Sequence, residues 1–396
     1  MRILSGYLAA RQAMRFVLLV GVLSFFADFT YEGARSVLGP WLGLMGASAT
    51  VIGIVVGFGE LLGYGLRVVS GRLADTTRRF WPITIFGYVV QMTAVPLLAL
   101  VHSWHGAACL IVCERIGKAI RNPPRDVMLA GAGKSIGGYG WTFGIHEALD
   151  QLGAMVGPLV VAGVIAMRGD YRLAFAALAI PAIINLGLVV LARVSFPRPQ
   201  DLDTAADEPL SAGGFTRSYW VYLAGAGLVA AGFADYPLIA YHWSRSHIVP
   251  VDAVPMLYAG AMAVSGGASL VLGRLFDRSG FRVITLLTVV SAMFAPLVFL
   301  SHRIEFAALG AALWGMGMGV HESIIPAAVI PMVGKARRAS AFGTFTAVYG
   351  ACWFAGSAVT GWLYDHSVVA AMTFCVAAQL SAVPVFIWVG RRQRVS

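Results

Sequence analysis

Asp28, Tyr31, Glu32 and Arg35 interrupt one apolar run, and at about 100° per residue along a helix the four share a face. Asp28 follows Arg15 by 13 residues. At about 1.5 Å per residue this places it roughly 20 Å along such a helix, past the middle of a bilayer. Glu60, Tyr64 and Arg67 form a similar stripe on the next apolar run. Each ionisable side chain in hydrocarbon costs about 2.5–3.5 kcal/mol and persists mainly where it meets a cavity or a partner. Acids, bases and phenols gathered in one interior can exchange protons and contact a polar substrate.

The densest polar run is Glu114-Arg115-Ile-Gly-Lys118-Ala-Ile-Arg121-Asn-Pro-Pro-Arg125-Asp126, in which Glu114, Lys118 and Arg121 share a helical face. Glu114 and Arg115 are the deeper members and candidates for function. Arg121, Arg125 and Asp126 read as interfacial charges, and Pro123 with Pro124 is expected to end the helix. Further on, His146, Glu147, Asp150 and Gln151 cluster, with His146 and Asp150 one turn apart. The run His146-Glu147-Ala-Leu-Asp150 is similar to a His-Glu-x-x-His zinc pair with the last ligand changed. A third ligand is not evident, so no metal is assigned, and the favoured chemistry is proton relay or substrate contact. Later in the chain the titratable groups inside apolar runs are Asp235, beside Tyr236, and His321-Glu322.

What positions these residues follows from composition. Of 396 residues, 58% are hydrophobic and 12% charged, where a soluble domain carries about 25% charged residues. A bilayer core needs about 20 apolar residues per helix. Apolar runs place twelve spans near 15–38, 49–70, 81–101, 106–122, 140–166, 173–193, 218–242, 253–272, 282–301, 305–330, 338–362 and 367–390. The fold class is therefore an all-α membrane protein, with a polar linker between the sixth and seventh spans that carries Asp201, Asp203, Asp207 and Glu208.

The net charge of +10 does not indicate nucleic acid, because Lys and Arg gather in alternate loops. Arg72, Arg78 and Arg79, then Arg121, Arg125 and Lys134, then Arg193, Arg198 and Arg217 mark one side. Arg274, Arg278 and Arg282, then Lys335, Arg337 and Arg338, then Arg391, Arg392 and Arg394 continue the habit. The positive-inside rule makes both termini cytoplasmic. Cys109, Cys113, Cys352 and Cys375 lie in apolar runs without zinc spacing and read as small hydrophobes. The apolar run after Arg15 is long enough for a full span, so the start is expected to be a first helix and not a removed signal.

The two halves echo each other. Phe26-Ala27-Asp28-Phe29 answers Phe233-Ala234-Asp235-Tyr236, and Gly71-Arg72-Leu73-Ala74-Asp75 answers Gly273-Arg274-Leu275-Phe276-Asp277. Through these residues the chain resembles the major facilitator superfamily of transporters. The family's Gly-x-Leu-x-Asp-Arg-x-Gly-Arg loop is matched by Gly71, Leu73, Asp75 and Arg79, with Thr76 in place of its Arg and Arg78 in place of its second Gly. The second copy is closer, through Gly273, Leu275, Asp277, Arg278, Gly280 and Arg282. Gly153-Ala-Met-Val-Gly157-Pro158 resembles the glycine-rich stretch of the antiporter branch.

The resemblance implies two pseudo-symmetric six-helix bundles, residues 1–195 and 218–396, joined by a cytoplasmic linker at 196–217, in the inner membrane. It implies alternating access, with Gly71, Asp75, Arg79, Gly273, Asp277, Arg278 and Arg282 as a conformational latch. Arg115 matches, loosely, the fourth-helix Arg that the family links to proton coupling. The expected function is proton-coupled efflux of a small organic compound by a monomer whose partners are substrate, protons and membrane lipid. No cofactor, metal, nucleic acid or enzymatic activity is expected. The alternatives are proton-coupled uptake of an organic anion or metal chelate, on the strength of Arg35, Arg67 and Arg115, and more remotely a membrane enzyme or a non-transporting receptor.

Overall fold

The computed structural model describes residues 2–133, 139–197, 215–329, 332–333 and 338–392, without the side chains of 2–9, 133, 139–141, 143, 277, 327 and 338–340. Among the described residues there are helices and turns and no strand. Hydrocarbon offers the backbone no partner, and a helix satisfies its own N–H and C=O groups. In chain order the helices are α1 (Arg2–Arg35), α2 (Leu38–Leu44), α3 (Ala49–Thr77), α4 (Phe80–Leu97), α5 (Trp104–Gly133), α6 (Tyr139–Arg168), α7 (Tyr171–Ala177) and α8 (Ala179–Ser195). Next come α9 (Arg217–Ala231), α10 (Tyr236–Ser246), α11 (Ala253–Ser279), α12 (Phe281–Ala292) and α13 (Phe294–Phe299). The last are α14 (Ile304–Gly319), α15 (Ile325–Ala327), α16 (Arg338–His366) and α17 (Val368–Arg392).

Among the described residues nine helical stretches are long and apolar enough to cross a bilayer, with α7–α8, α9–α10 and α12–α13 each forming one broken span. The other three expected spans are helical too, as α5, α14 and α16.

Three local expectations change. α5 passes through Pro123 and Pro124 and ends at Gly133. Proline removes one donor, a loss that membrane helices tolerate where neighbours satisfy the freed carbonyl. α3 and α11 also run on past Gly71 and Gly273, so Asp75 and Asp277 lie in final helical turns. The chain reverses instead at Arg78 (φ 54°) and Gly280 (φ 59°).

The chain forms two compact units, Met1–Ala34 with Gly65–Asp207 and Arg35–Tyr64 with Glu208–Ser396. The segment 35–64, which is α2 and the start of α3, thus groups with the later helices. The acidic patch of the linker, Lys134, Arg198, Lys335, Arg337 and Arg394 lie outside the described residues.

In the first unit Phe16, Trp81, Met128 and Leu129 pack in one core, and Leu23, Tyr88 and Met92 in another. α1 and α6 approach so closely that a Cβ on Gly153 would strike the carbonyl of Phe25, and one on Gly157 that of Phe29. This crossing brings the polar stripe of α1 against that of α6. In the second unit the break between α9 and α10 frees carbonyls that side chains then satisfy. Gln379 Nε2 donates to Gly232 O at 3.0 Å, and the Trp314 indole N–H donates to Ala234 O at 2.8 Å. Asp235 stands at the N-cap of α10 without using its carboxylate as a cap.

Candidate functional site

In the first unit, α1 sets Asp28 against α5. Asp28 Oδ1 lies 3.6 Å from Arg121 Nη2 and 4.0 Å from Lys118 Nζ. Arg121 is 1% exposed. Its Nε donates to Gln91 Oε1 at 2.5 Å and its Nη1 to Tyr88 Oη at 3.0 Å, with the guanidinium over the Tyr88 ring. Gln91 in turn donates to Glu114 Oε1 at 2.8 Å, and Arg115 lies 3.6 Å from Glu114 Oε2. The Tyr31 ring lies under both Arg115 (4.7 Å) and Lys118 (4.1 Å), a cation–π arrangement. Glu32 is buried on the same helix.

A second chain of contacts runs through α6. Arg125 Nη1 donates to Ser24 Oγ at 3.2 Å, and Ser24 Oγ lies 2.7 Å from His146 Nε2. A guanidinium only donates, so Ser24 Oγ accepts from Arg125, and the tautomer of His146 sets the direction of its contact with Ser24. The other ring nitrogen, Nδ1, faces Asp150 Oδ2 at 3.5 Å. Arg125 is closed at its other end by Asp126, at 2.8 and 3.0 Å. The contacts Asp150–His146–Ser24–Arg125–Asp126 form a continuous polar relay. Glu147 is exposed and accepts from Gln151 Nε2 at 3.0 Å.

Ligand atoms of His146, Glu147 and Asp150 all lie within 4.8 Å of one another, so the three could face one ion. The guanidinium one hydroxyl away opposes a divalent cation there.

In the second unit, Arg35 Nη2 lies 3.3 Å from Glu60 Oε1 and 3.6 Å from Asp235 Oδ1. Asp235 also accepts from Trp353 Nε1 at 3.0 Å and Ser357 Oγ at 2.6 Å. The guanidinium from α1 and the indole and hydroxyl from α16 together meet both of its oxygens. His321 sits in a π-turn, Val320–Ile324, at the end of α14. Such turns are frequent at functional sites. Its Nδ1 is hydrogen-bonded to Tyr349 Oη, and its ring lies 4.2 Å from that of Phe233, tilted by 39°. Glu322 is exposed, and Tyr64 meets Tyr349 ring to ring at 5.9 Å.

The polar residues expected along α1, α3 and α6 are found in neighbouring groups in the first unit and in a group of their own in the second. Asp28, Glu114 and Arg115 belong to one, His146 and Asp150 to another, and Arg35, Glu60 and Asp235 to a third. Arg121 and Arg125 are buried participants and not the interfacial charges expected, because α5 continues beyond the prolines; Asp126 is partly exposed, its side chain at 42%. Tyr236 is core: its hydroxyl donates to Val254 O at 2.6 Å among Trp243, Tyr258 and Trp314. Arg67 is half-buried on α3. Of the residues expected to form a latch, Asp75, Arg79, Arg278 and Arg282 are exposed, and the Asp277 side chain lies outside the described residues. Ser24, Gln91 and Ser357 were missed; each is an uncharged polar group in an apolar run, and the depth argument applied to the charges would have found them.

No protein-family profile matches the chain. It is 37% identical over 382 residues to uncharacterised proteins of Mycobacterium tuberculosis and Mycobacterium bovis, covering 94% of this chain and 92% of theirs. It is 33% identical over 147 residues to an uncharacterised MFS-type transporter of Methanocaldococcus jannaschii, covering 37% of this chain and 36% of that one. Among solved structures it is similar to a POT family transporter in complex with a thioalcohol-conjugated peptide, with a TM-score of 0.75 at 14% identity over 96% of both chains. It is also similar to the nucleoside transporter NupG, with a TM-score of 0.74 at 14% identity over 95% of this chain and 98% of that one. A bacterial homologue of the human lysosomal transporter Spinster, inward-facing and occupied, gives a TM-score of 0.73 at 15% identity over 95% and 94%. The three solved proteins and the archaeal relative are named as transporters. The chain therefore has the fold of these solved transporters, and over 37% of its length it is related in sequence to a protein named an MFS-type transporter.

Proposed function

We propose that this protein is a proton-coupled secondary transporter of a small organic compound, working by alternating access in a cytoplasmic membrane with both termini inside. One observation carries the reading: Asp28, deep in α1, is shared between Lys118 and Arg121 beside the relay that joins Asp150 to His146. A carboxylate's proton affinity depends on which cations stand near it. If the two access states give Asp28 or Asp150 different partners, proton binding and substrate movement become linked. Export in exchange for protons is the favoured direction, supported by the close α1–α6 crossing at Gly153 and Gly157, the residues that resemble the antiporter stretch. The Asp75 and Asp277 turns remain the proposed latch between states, with Arg79, Arg278 and Arg282 beside them.

A second reading, uptake of an organic anion, draws on Lys118, which is one-fifth exposed beside Arg115 over the Tyr31 ring. Proteoliposomes with an imposed pH gradient, offered a panel of labelled cationic, neutral and anionic compounds, distinguish the two. Accumulation that a protonophore abolishes, driven opposite to proton flow, supports antiport. Accumulation of an anion along with protons supports uptake. Transport indifferent to the pH gradient contradicts proton coupling.

A further inference from the structure

We propose that the second unit holds a site for an anionic phospholipid, in the groove between the start of α12 and the end of α17. The groove has a volume of about 840 Å³ and its mouth carries Arg278, Arg282 and Arg391. Among its described lining residues there is no carboxylate. Behind the arginines the wall is apolar, formed in part by Leu286, Val289 and Ile387, which are 62%, 38% and 41% exposed. Exposed aliphatics of a membrane protein face acyl chains, so the wall suits a lipid tail and the rim suits its phosphate.

The local backbone builds this shape. Gly280 has φ 59° and ψ −138°, a conformation essentially closed to residues with a Cβ, and it turns the chain so that Arg278 and Arg282 flank the opening. Trp388, with Arg392 5.1 Å from its ring, marks the same end of α17 as membrane interface. The corresponding turn of the first repeat provides an internal comparison. It borders a groove of about 540 Å³ with an apolar wall at Leu66, Val69 and Phe86, and among its described lining residues Arg79 is the one arginine. Three arginines lining one groove, with no acid among its described lining residues, distinguish the α12–α17 groove and select a lipid with net negative charge over a zwitterionic one.

The test uses full-length protein stripped of lipid in mild detergent. It is offered phosphatidylglycerol, phosphatidylcholine or glycerol 3-phosphate at equal concentration, and bound molecules are counted by native mass spectrometry. Phosphatidylglycerol should be retained at least tenfold over phosphatidylcholine, since each arginine at an anionic leaflet is worth a factor of about five. Arg391→Gln, at an exposed helix end, should lower retention about fivefold. Arg278→Gln with Arg282→Gln and Arg391→Gln should reduce it to the phosphatidylcholine level. Leu286→Trp, which fills the apolar wall and spares the arginines, should also reduce it, whereas Arg79→Gln should not. Equal retention of the two lipids, or unchanged retention in Arg391→Gln and Leu286→Trp, overturns the proposal. So does glycerol 3-phosphate binding as well as the lipid, which would make the site one for a soluble anion.

Discussion

Asp365, in the last turn of α16, accepts hydrogen bonds from both the backbone N–H (2.8 Å) and the hydroxyl (2.5 Å) of Thr50 at the start of α3, and from the N–H of Ala49 at 3.0 Å. An acid at the end of its own helix faces the unfavourable pole of that dipole. Here it caps the favourable pole of another.

That relationship has a pH signature. Burial pushes the Asp365 carboxyl up, but hydrogen bonds from Thr50, Ser48 and Ala49 outweigh it and hold the group below its ordinary 3.8. A depressed folded-state value stabilises the fold above pH 3.8, and this contribution is lost as pH falls through the folded value. Asp365→Ala should therefore cost about 1 kcal/mol at neutral pH, as for loss of a helix cap, and nearly nothing in strong acid. Thermal melting of the purified protein across pH checks this, and an equal deficit at both ends would contradict it.

Arg78 holds a left-handed backbone where the resembled loop signature has glycine. Arg78→Gly should stabilise by up to about 1 kcal/mol, because a Cβ costs about 1–2 kcal/mol in that region and glycine entropy returns part of it. Gly280→Ala should do the opposite and cost about 1–3 kcal/mol. Melting temperatures of the two variants moving in the same direction would count against this reading of the turns.

Arg35 and Asp235 form a buried pair, so removing one partner strands a charge. Arg35→Gln should destabilise by about 3–5 kcal/mol. Adding Asp235→Asn should return part of that loss, giving a coupling of about 0.5–3 kcal/mol in a double-mutant cycle of unfolding free energies. Strict additivity would show that the contact carries no energy.

Gly157→Ala places a Cβ against the Phe29 carbonyl and must push α6 from α1. A cost of about 1–3 kcal/mol is expected, together with slower transport, since Asp28 and Asp150 ride on the two displaced helices. Wild-type melting and transport in this variant would show that the close crossing is dispensable.

The helices were legible because hydrocarbon forces long apolar runs into helices, and depth singled out Asp28, Glu114, His146 and Asp235 as groups needing partners. Who those partners are was not legible. Asp28 meets Lys118 and Arg121 because α5 lies opposite α1, a pairing that neither run announces by itself. Arg35 looks like a companion of Asp28 on one stripe, yet its partners Glu60 and Asp235 come from α3 and the α9–α10 break. Helical periodicity assigns a face, whereas ion pairing is decided by which helix arrives opposite it.

The central claim, that the α1 and α6 carboxylates couple protons to transport, is tested most directly by comparing uphill and downhill transport of one substrate in proteoliposomes. Asp28→Asn and Asp150→Asn are measured beside Glu32→Gln and Glu147→Gln. At least one of the four should lose gradient-driven accumulation by a factor within the usual coupling range, about 5–150-fold, while downhill exchange partly survives. If all four retain full uphill transport, these carboxylates are structural and the proton path runs elsewhere.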